Sequence, residues 1–232
     1  MWSVEEALNA LRSGTPVLLH DSSQREDEVD MVFYAGRVDP DKVYMLRSRA
    51  GGVICHATTS TIVRGLGLRF MDELFESVGG AYSRLASKTL SYGDRPAFVV
   101  WINHAKARTG VSDDDRALTI SRMHDVISTA WRGDVSRARA VFEAEFQAPG
   151  HVALLASRGL SRRRGHTELA VSLALLAGLE PSVVFAEMLA RRRRLALEEA
   201  RALAEREGWP LITGGQVEVA CRDAGVEVCW SH

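Results

Sequence analysis

Cysteine is scarce in this chain, with three residues, Cys55, Cys221 and Cys229, among 232. So few thiols so widely spaced exclude a disulfide scaffold and point to a reducing compartment, which makes the cytoplasm the expected location. An excess of one charge is missing as well, since 29 Lys and Arg offset 30 Asp and Glu for a formal net charge of -1. That balance argues against a strongly basic nucleic-acid binder, and no nucleic-acid partner is expected, but it leaves room for a local anion site. The longest apolar run, Leu169 to Leu179, is broken by Ser172 and falls far short of a bilayer, so no membrane partner is expected. The chain opens Met1-Trp2-Ser3 with Glu5 and Glu6 behind, without the basic start and apolar stretch of a secretory signal. A G-x-G-x-x-G with a following acid, a Walker A lysine, a G-x-S-x-G and a paired C-x-x-C are all absent, which weighs against nucleotide hydrolysis and serine hydrolysis.

What is present is the patterning of one folded domain, residues 1–232, with 46% apolar and 25% charged residues. Ser3 and Glu6 form a capping-box pattern, and Val4, Ala7, Leu8 and Leu11 recur at helical spacing until Gly14. Strands are expected at Pro16 to Leu19 and Met31 to Ala35, joined by a charged loop. Asp39-Pro40 opens a second helix that Gly51-Gly52 closes, and Val53 to Ala57 reads as strand. The glycine-broken stretch Thr58 to Arg95 predicts irregular structure around one or two short helices. Ala97 to Ile102 is a buried strand, Asp113-Asp114-Asp115 an acidic helix start, and His151 to Ala156, after Pro149-Gly150, another strand. A helix follows Gly165-His166-Thr167 with Leu169, Leu173 and Leu176 on its buried face, and a strand runs from Pro181 to Phe185 with Glu187 just beyond. Leu197 to Glu207 reads as helix, Leu211-Ile212 as strand, and Val217 to Cys221 as a last small helix. The alternation predicts an α+β fold, α/β-like in its layering, with a mixed, twisted sheet covered by helices.

The densest chemistry lies in Asp21 and Arg25-Glu26-Asp27-Glu28-Val29-Asp30. If this segment is extended, Glu26, Glu28 and Asp30 share one face about 7 Å apart, with Met31 turned to the core. Carboxylates so close repel one another unless a cation or shared proton compensates, and hard divalent ions accept such oxygens. The plain alternative is a solvated acidic turn. A second cluster, Arg162-Arg163-Arg164-Gly165-His166-Thr167-Glu168, places arginines and a glycine at a helix entrance, where N–H groups, Arg163 and Thr167 suit a phosphate ester and His166 suits a metal or a proton. Its alternative is a basic surface loop. Cys55 is read as a nucleophile or a buried inert thiol, Thr109-Gly110-Val111-Ser112 as an anion contact or a plain turn, and His151 as a strand-edge residue. Glu187 stands at a strand end, where active-site carboxylates often sit. Arg191 to Arg194 reads as a solvated helix approach.

Taken in order, these segments resemble the 3,4-dihydroxy-2-butanone 4-phosphate synthases of riboflavin biosynthesis, in their short archaeal-type single-domain form. The acidic signature D-x-x-x-R-E-x-E-x-D falls on Asp21, Arg25, Glu26, Glu28 and Asp30. Ala50-Gly51-Gly52-Val53-Ile54-Cys55, Trp101-Ile102-Asn103-His104, Thr109-Gly110-Val111-Ser112, Pro149-Gly150-His151, Arg163-Arg164-Gly165-His166-Thr167-Glu168 and Glu187 follow in the same order. The resemblance implies a lyase that turns D-ribulose 5-phosphate into L-3,4-dihydroxy-2-butanone 4-phosphate and formate through an enediolate, dehydration, a skeletal shift and loss of C4. It implies two magnesium ions per site, with manganese as a substitute, held by Glu26 and His166. It implies phosphate and sugar contacts from Asp21, Arg25, Thr109, Arg163, Arg164, Gly165 and Thr167, sugar-hydroxyl contacts from Asp30 and Glu187, proton transfer among Glu28, Asp30 and Glu187, and Cys55 and His151 as further catalytic residues. A homodimer follows too, with His151 completing the neighbouring site. The chain departs from the family pattern after Glu187, where Leu189-Ala190 and four arginines replace an acidic, glycine-rich loop.

Overall fold

The computed structural model describes residues 2–88, 90 and 92–230; Met1, two positions of the glycine-broken region and residues 231–232 lie outside them. Helix α1 (Val4–Ser13) is built as its caps dictate. The Ser3 Oγ accepts the Glu6 N–H at 3.2 Å, Glu6 takes the Ser3 N–H in return, and Gly14 ends the helix at φ 82°. Strands β1 (Val17–His20) and β2 (Val29–Tyr34) follow, then α2 (Pro40–Met45), capped by Asp39 and continued by a π turn to Gly51. Strand β3 spans Cys55–Thr59, two residues later than the sequence suggests. Among the described residues three short helices, α3 (Ser60–Gly65), α4 (Met71–Val78) and α5 (Gly80–Ala86), occupy the stretch where one or two were expected.

Strand β4 (Phe98–His104) leads to α6 (Asp113–Trp131), whose start is capped by Ser112, and to α7 (Val135–Glu145), which the apolar pattern did not reveal. Strand β5 (Phe146–Ser157) runs straight through Pro149-Gly150 instead of starting after it. Any side chain at Gly150 would collide with the Ile102 carbonyl group, so the glycine permits β4 and β5 to close up where their register shifts. Helix α8 (His166–Leu176) is buried on all sides along His166–Ala174 and not on one face. Strand β6 (Val183–Glu187) takes in Glu187 as its last residue. The arginine run is exposed, as expected of a solvated approach to the next helix, but it is not irregular. It makes a small hairpin, β7 (Leu189–Ala190) with β8 (Arg193–Arg194), ahead of α9 (Leu197–Glu207), β9 (Leu211–Thr213) and α10 (Gly214–Asp223).

Among the described residues seven strands make one mixed sheet in the order β4-β5-β3-β6-β2-β1-β9. The β1–β9 and β3–β5 pairs are parallel, and the others antiparallel. Side-chain alternation splits the core. Val17, Leu19, Val32, Cys55, Ala153 and Phe185 pack under α1, α8 and α10, while Leu18, Met31, Phe33, Val184 and Ala186 pack against α2, α6 and α9. Asp30 alternates onto the α8 side, opposite Met31 as expected, so burying that strand face brings one carboxylate under the first turn of α8.

Candidate active site

The acidic segment is not extended at Glu26, as the shared-face argument required. Residues 23–26 form a turn ahead of β2, and Asp27 has φ 53°. Asp21 is the reason. One of its oxygens accepts the Glu26 N–H at 3.0 Å and the other the Glu28 N–H at 3.1 Å, and Arg25 Nη1 donates to it at 3.2 Å. A carboxylate bound to two backbone amides substitutes for strand hydrogen bonds and coils the chain around itself. The consequence is that Glu26 swings toward α8 instead of lining up with Glu28 and Asp30.

There it meets His166, the first residue of α8. His166 Nδ1 lies 3.3 Å from Glu26 Oε2, and Nε2 lies 3.2 Å from the Glu28 carbonyl and 3.6 Å from Asp30 Oδ1. Asp21, Glu26 and His166 each offer a ligand atom within 4.8 Å of the others. Burial disfavours the imidazolium, but Asp30 and Glu26 outweigh it and raise His166 to about 9. Burial raises Asp30 to about 8, His166 opposing, and its Oδ1 has no hydrogen-bond partner among the described residues. Burial also raises Glu28, aided by Glu26 and Glu187, whereas for Glu26 the bonds from His166 and Tyr92 and the charge of Arg25 overcome burial and hold it low. Across β2, Glu187 faces Asp30 in register, and its Oε2 accepts the Val53 N–H at 2.8 Å. A side chain at Gly52 would press into Glu187, so that glycine lets the backbone reach the carboxylate.

The second cluster closes the other side. Arg25 pairs with Glu26 at 2.7 Å and donates from Nε to Asp94 at 2.8 Å. Arg163 Nη1 donates to Glu168 at 2.5 Å, and the buried Glu168 also accepts the N–H groups of Arg158 and Gly165. Two guanidinium atoms, Arg25 Nη2 and Arg163 Nε, are buried with no acceptor among the described residues. A side chain on Gly165 would fall 2.5 Å from Arg163 Nη1 and 2.7 Å from Arg25 Nη2, so glycine is what lets both arginines converge at the α8 entrance. They border a cavity of about 460 Å³ lined also by Asp21, Tyr92, Asp94 and Arg164. A larger hollow of about 730 Å³ beside Trp2 and Thr213 holds none of these groups.

Asp21, Arg25, Glu26, Glu28, Asp30, Arg163, Gly165 and His166 are thus gathered at one place, with Glu187 in register beside Asp30 and Thr167 buried on α8 directly after His166. Arg164 borders the same cavity but pairs with Glu218 at 3.3 Å. Cys55 is sealed in the core, where burial and the charges of Glu187 and Asp30 keep the thiol protonated. Thr109 and His151 are not brought in. Thr109 donates its N–H to Asp115 and His151 bonds Asn103, on the β4–β5 side of the sheet, with β3 and β6 between β5 and β2. Sequence reasoning missed Tyr92, whose hydroxyl donates to Glu26 at 2.5 Å and whose ring lies 4.5 Å from the Arg25 guanidinium, and it missed Asp94. Both sit in the glycine-broken stretch, where no periodicity marks them.

A family model described as 3,4-dihydroxy-2-butanone 4-phosphate synthase matches residues 5–218. The chain is similar to the 3,4-dihydroxy-2-butanone 4-phosphate synthase of Archaeoglobus fulgidus, 38% identical over 218 residues and covering 90% of each chain. Its fold is similar to a two-domain 3,4-dihydroxy-2-butanone 4-phosphate synthase from A. baumannii, with a TM-score of 0.74 at 26% identity over 93% of this chain and 56% of that one. It is also similar to a synthase crystallised in complex with two magnesium ions, with a TM-score of 0.70 at 24% identity over 98% of both chains. The sequence resemblance, the mixed sheet and the extent of these matches agree: the chain belongs to the 3,4-dihydroxy-2-butanone 4-phosphate synthase family of riboflavin biosynthesis.

Proposed function

We propose that the chain, acting as a single catalytic domain over residues 1–232, converts D-ribulose 5-phosphate into L-3,4-dihydroxy-2-butanone 4-phosphate and formate. The observation that carries this reading is a carboxylate–imidazole pair, Glu26 with His166, joined through the 2.7 Å Glu26–Arg25 contact to two buried guanidinium groups that each keep a donor free and that border a cavity. Those donors suit a phosphate ester, and the N–H groups at the start of α8 add the positive end of a helix. Asp94 holds Arg25, a contact that a bound phosphate would take over.

Glu26 and His166 fit a divalent cation. His166 donates Nε2–H to the Glu28 carbonyl, which turns Nδ1 toward Glu26 Oε2, and an oxygen-rich set with one imidazole suits magnesium or manganese. Bound magnesium, two ions per site with manganese as substitute, would polarise the sugar's carbonyl and hydroxyl oxygens. The chain's own groups hold substrate and move protons. Asp30, raised to about 8, is poised to exchange a proton near neutral pH, and Glu28, also raised, lies two residues before it, just ahead of β2. Glu187, fixed by the Val53 N–H and facing Asp30, is assigned the proton transfers of the skeletal shift. Cys55 stays a thiol in the wall. Thr109 and His151 reach a site in this reading from the second subunit of a homodimer.

Incubating the protein with ribulose 5-phosphate labelled at C4 tests the proposal. Labelled formate is expected with magnesium and none with chelator. No formate at saturating magnesium would refute it.

A further inference from the structure

The arginine run after Glu187 finds a use in the fold. Leaving Glu187, the chain turns through the β7–β8 hairpin, closed by the Leu195 N–H on the Met188 carbonyl at 2.7 Å. Arg193 binds both oxygens of Glu199 at 2.6 and 2.9 Å, and Glu199 also takes the Ala196 N–H, which anchors the hairpin to the first turn of α9. Arg194 reaches the other way and donates from Nη2 to Asp27 Oδ2 at 2.5 Å. The remaining oxygen of Asp27 lies 3.0 Å from Nε2 of the buried His20 on β1. Two of the four arginines are therefore committed to carboxylates, which removes them from any general attraction of anionic substrate.

Asp27 is the residue after Glu26 and holds a left-handed backbone at φ 53°, a conformation that needs outside support in a non-glycine residue. Asp21 pins the turn from inside through the amides on either side of it, at Glu26 and Glu28. From these contacts we infer that Arg194 is a positioning residue. Through Asp27 it braces the turn from outside and fixes Glu26 opposite His166, so the hairpin ties the Glu187 end of β6 to the cation ligand. The inference rests on Glu26 and His166 being that ligand pair. An exposed ion pair contributes little to global stability, so its effect belongs to geometry and not to folding.

The test uses the full-length protein without substrate. Mn2+ binding is followed by electron paramagnetic resonance and amide exchange is followed at residues 22–28, for wild type, Arg194→Ala, Arg194→Lys, Asp27→Asn and the double variant Arg194→Ala/Asp27→Asn. Support beyond the direct ligands typically changes metal affinity tenfold or more, so a brace one contact further out is expected to give roughly 3–10-fold weaker Mn2+ binding in Arg194→Ala. The same variant should show faster exchange in the turn, an unchanged melting temperature, and a raised KM for metal with kcat retained at saturating metal. Arg194→Lys should recover part of the loss, and the double variant should be no worse than either single one. Unchanged affinity and exchange in Arg194→Ala, or additive losses in the double variant, would overturn the inference. If wild type showed no Mn2+ affinity sensitive to Glu26→Gln, the ligand assignment itself would fail, and amide exchange alone would decide whether Arg194 braces the turn.

Discussion

At the scale of single residues, the site solves one electrostatic problem, the crowding of carboxylates, in three different ways. Asp21 spends its charge on two amides and Arg25, Glu26 is held by His166, Tyr92 and Arg25, and Asp30 is pushed by burial to hold its proton to higher pH than a free carboxylate. The arginines that balance these acids are also the ones that form the proposed phosphate site, and Asp94 holds Arg25 at 2.8 Å and lies 4.0 Å from Arg163. A buried charge-assisted hydrogen bond contributes about 1.5–3 kcal/mol, some of which a ligand must overcome to displace Asp94. Asp94→Asn is therefore expected to lower both the KM for ribulose 5-phosphate and the inhibition constant for inorganic phosphate by roughly 3–10-fold. Steady-state kinetics with phosphate as competitor checks this; a higher KM would mean that Asp94 contacts the substrate. The residue types of this cluster were legible in the sequence, but its geometry was not. The extended reading placed Glu26 with Glu28 and Asp30 because strand periodicity is a local signal, whereas the turn depends on Asp21 capturing amides five and seven residues away.

At the scale of elements, strands β3 and β6 set the reach of Glu187. Gly52 lies so close that a methyl group there would come 2.7 Å from the Glu187 nitrogen. Overpacking of this kind costs about 1–3 kcal/mol, so Gly52→Ala should lower the urea midpoint and reduce kcat together. An active, unshifted variant would show that Glu187 can retreat without loss. On its other face β3 carries His56, buried against the α6 side, with Nε2 2.8 Å from Ser182 Oγ and Nδ1 lacking an acceptor among the described residues. Burial, reinforced by His124, lowers it to about 3. An unfolded histidine titrates near 6.5, so the unfolded chain binds more protons between the two values and stability falls with pH in that window. The contribution is fully present above about pH 6.5, and on the order of 2–3 kcal/mol of it is lost by about pH 4.5. Urea unfolding across this range should show that decline, and His56→Gln should remove it. Helix caps and glycine stops made α1, α2 and α6 readable. Helix α7 was not, its apolar pattern being weak, and nor was the β7–β8 hairpin, because an arginine-rich stretch takes its shape from partners such as Glu199 and Asp27 that are remote or lie beyond the segment.

At the scale of the whole molecule, the layered fold was readable from alternation, but the strand order was not, since the pairing of β3 with β5 and β6 joins residues far apart in sequence. That order has a functional consequence. Inter-strand spacing is about 4.8 Å, so β5 lies roughly 14 Å from β2 across the sheet, and Thr109 and His151 belong to the distant side. Residues matching the family's order at both places make sense if one subunit supplies Glu26, Arg163 and His166 and another supplies Thr109 and His151. Mixing two inactive proteins decides the point. Arg163→Ala and Thr109→Ala are each expected to lose most of their activity as homodimers. After unfolding and joint refolding in equal amounts, random pairing makes half the dimers mixed. Each mixed dimer has one site with both substitutions and one with neither, so about a quarter of all sites should be intact. Recovery of about a quarter of wild-type formate production is the expected outcome. No recovery, with mixed dimers demonstrated by native mass spectrometry, would place Thr109 in the same subunit's site or outside it.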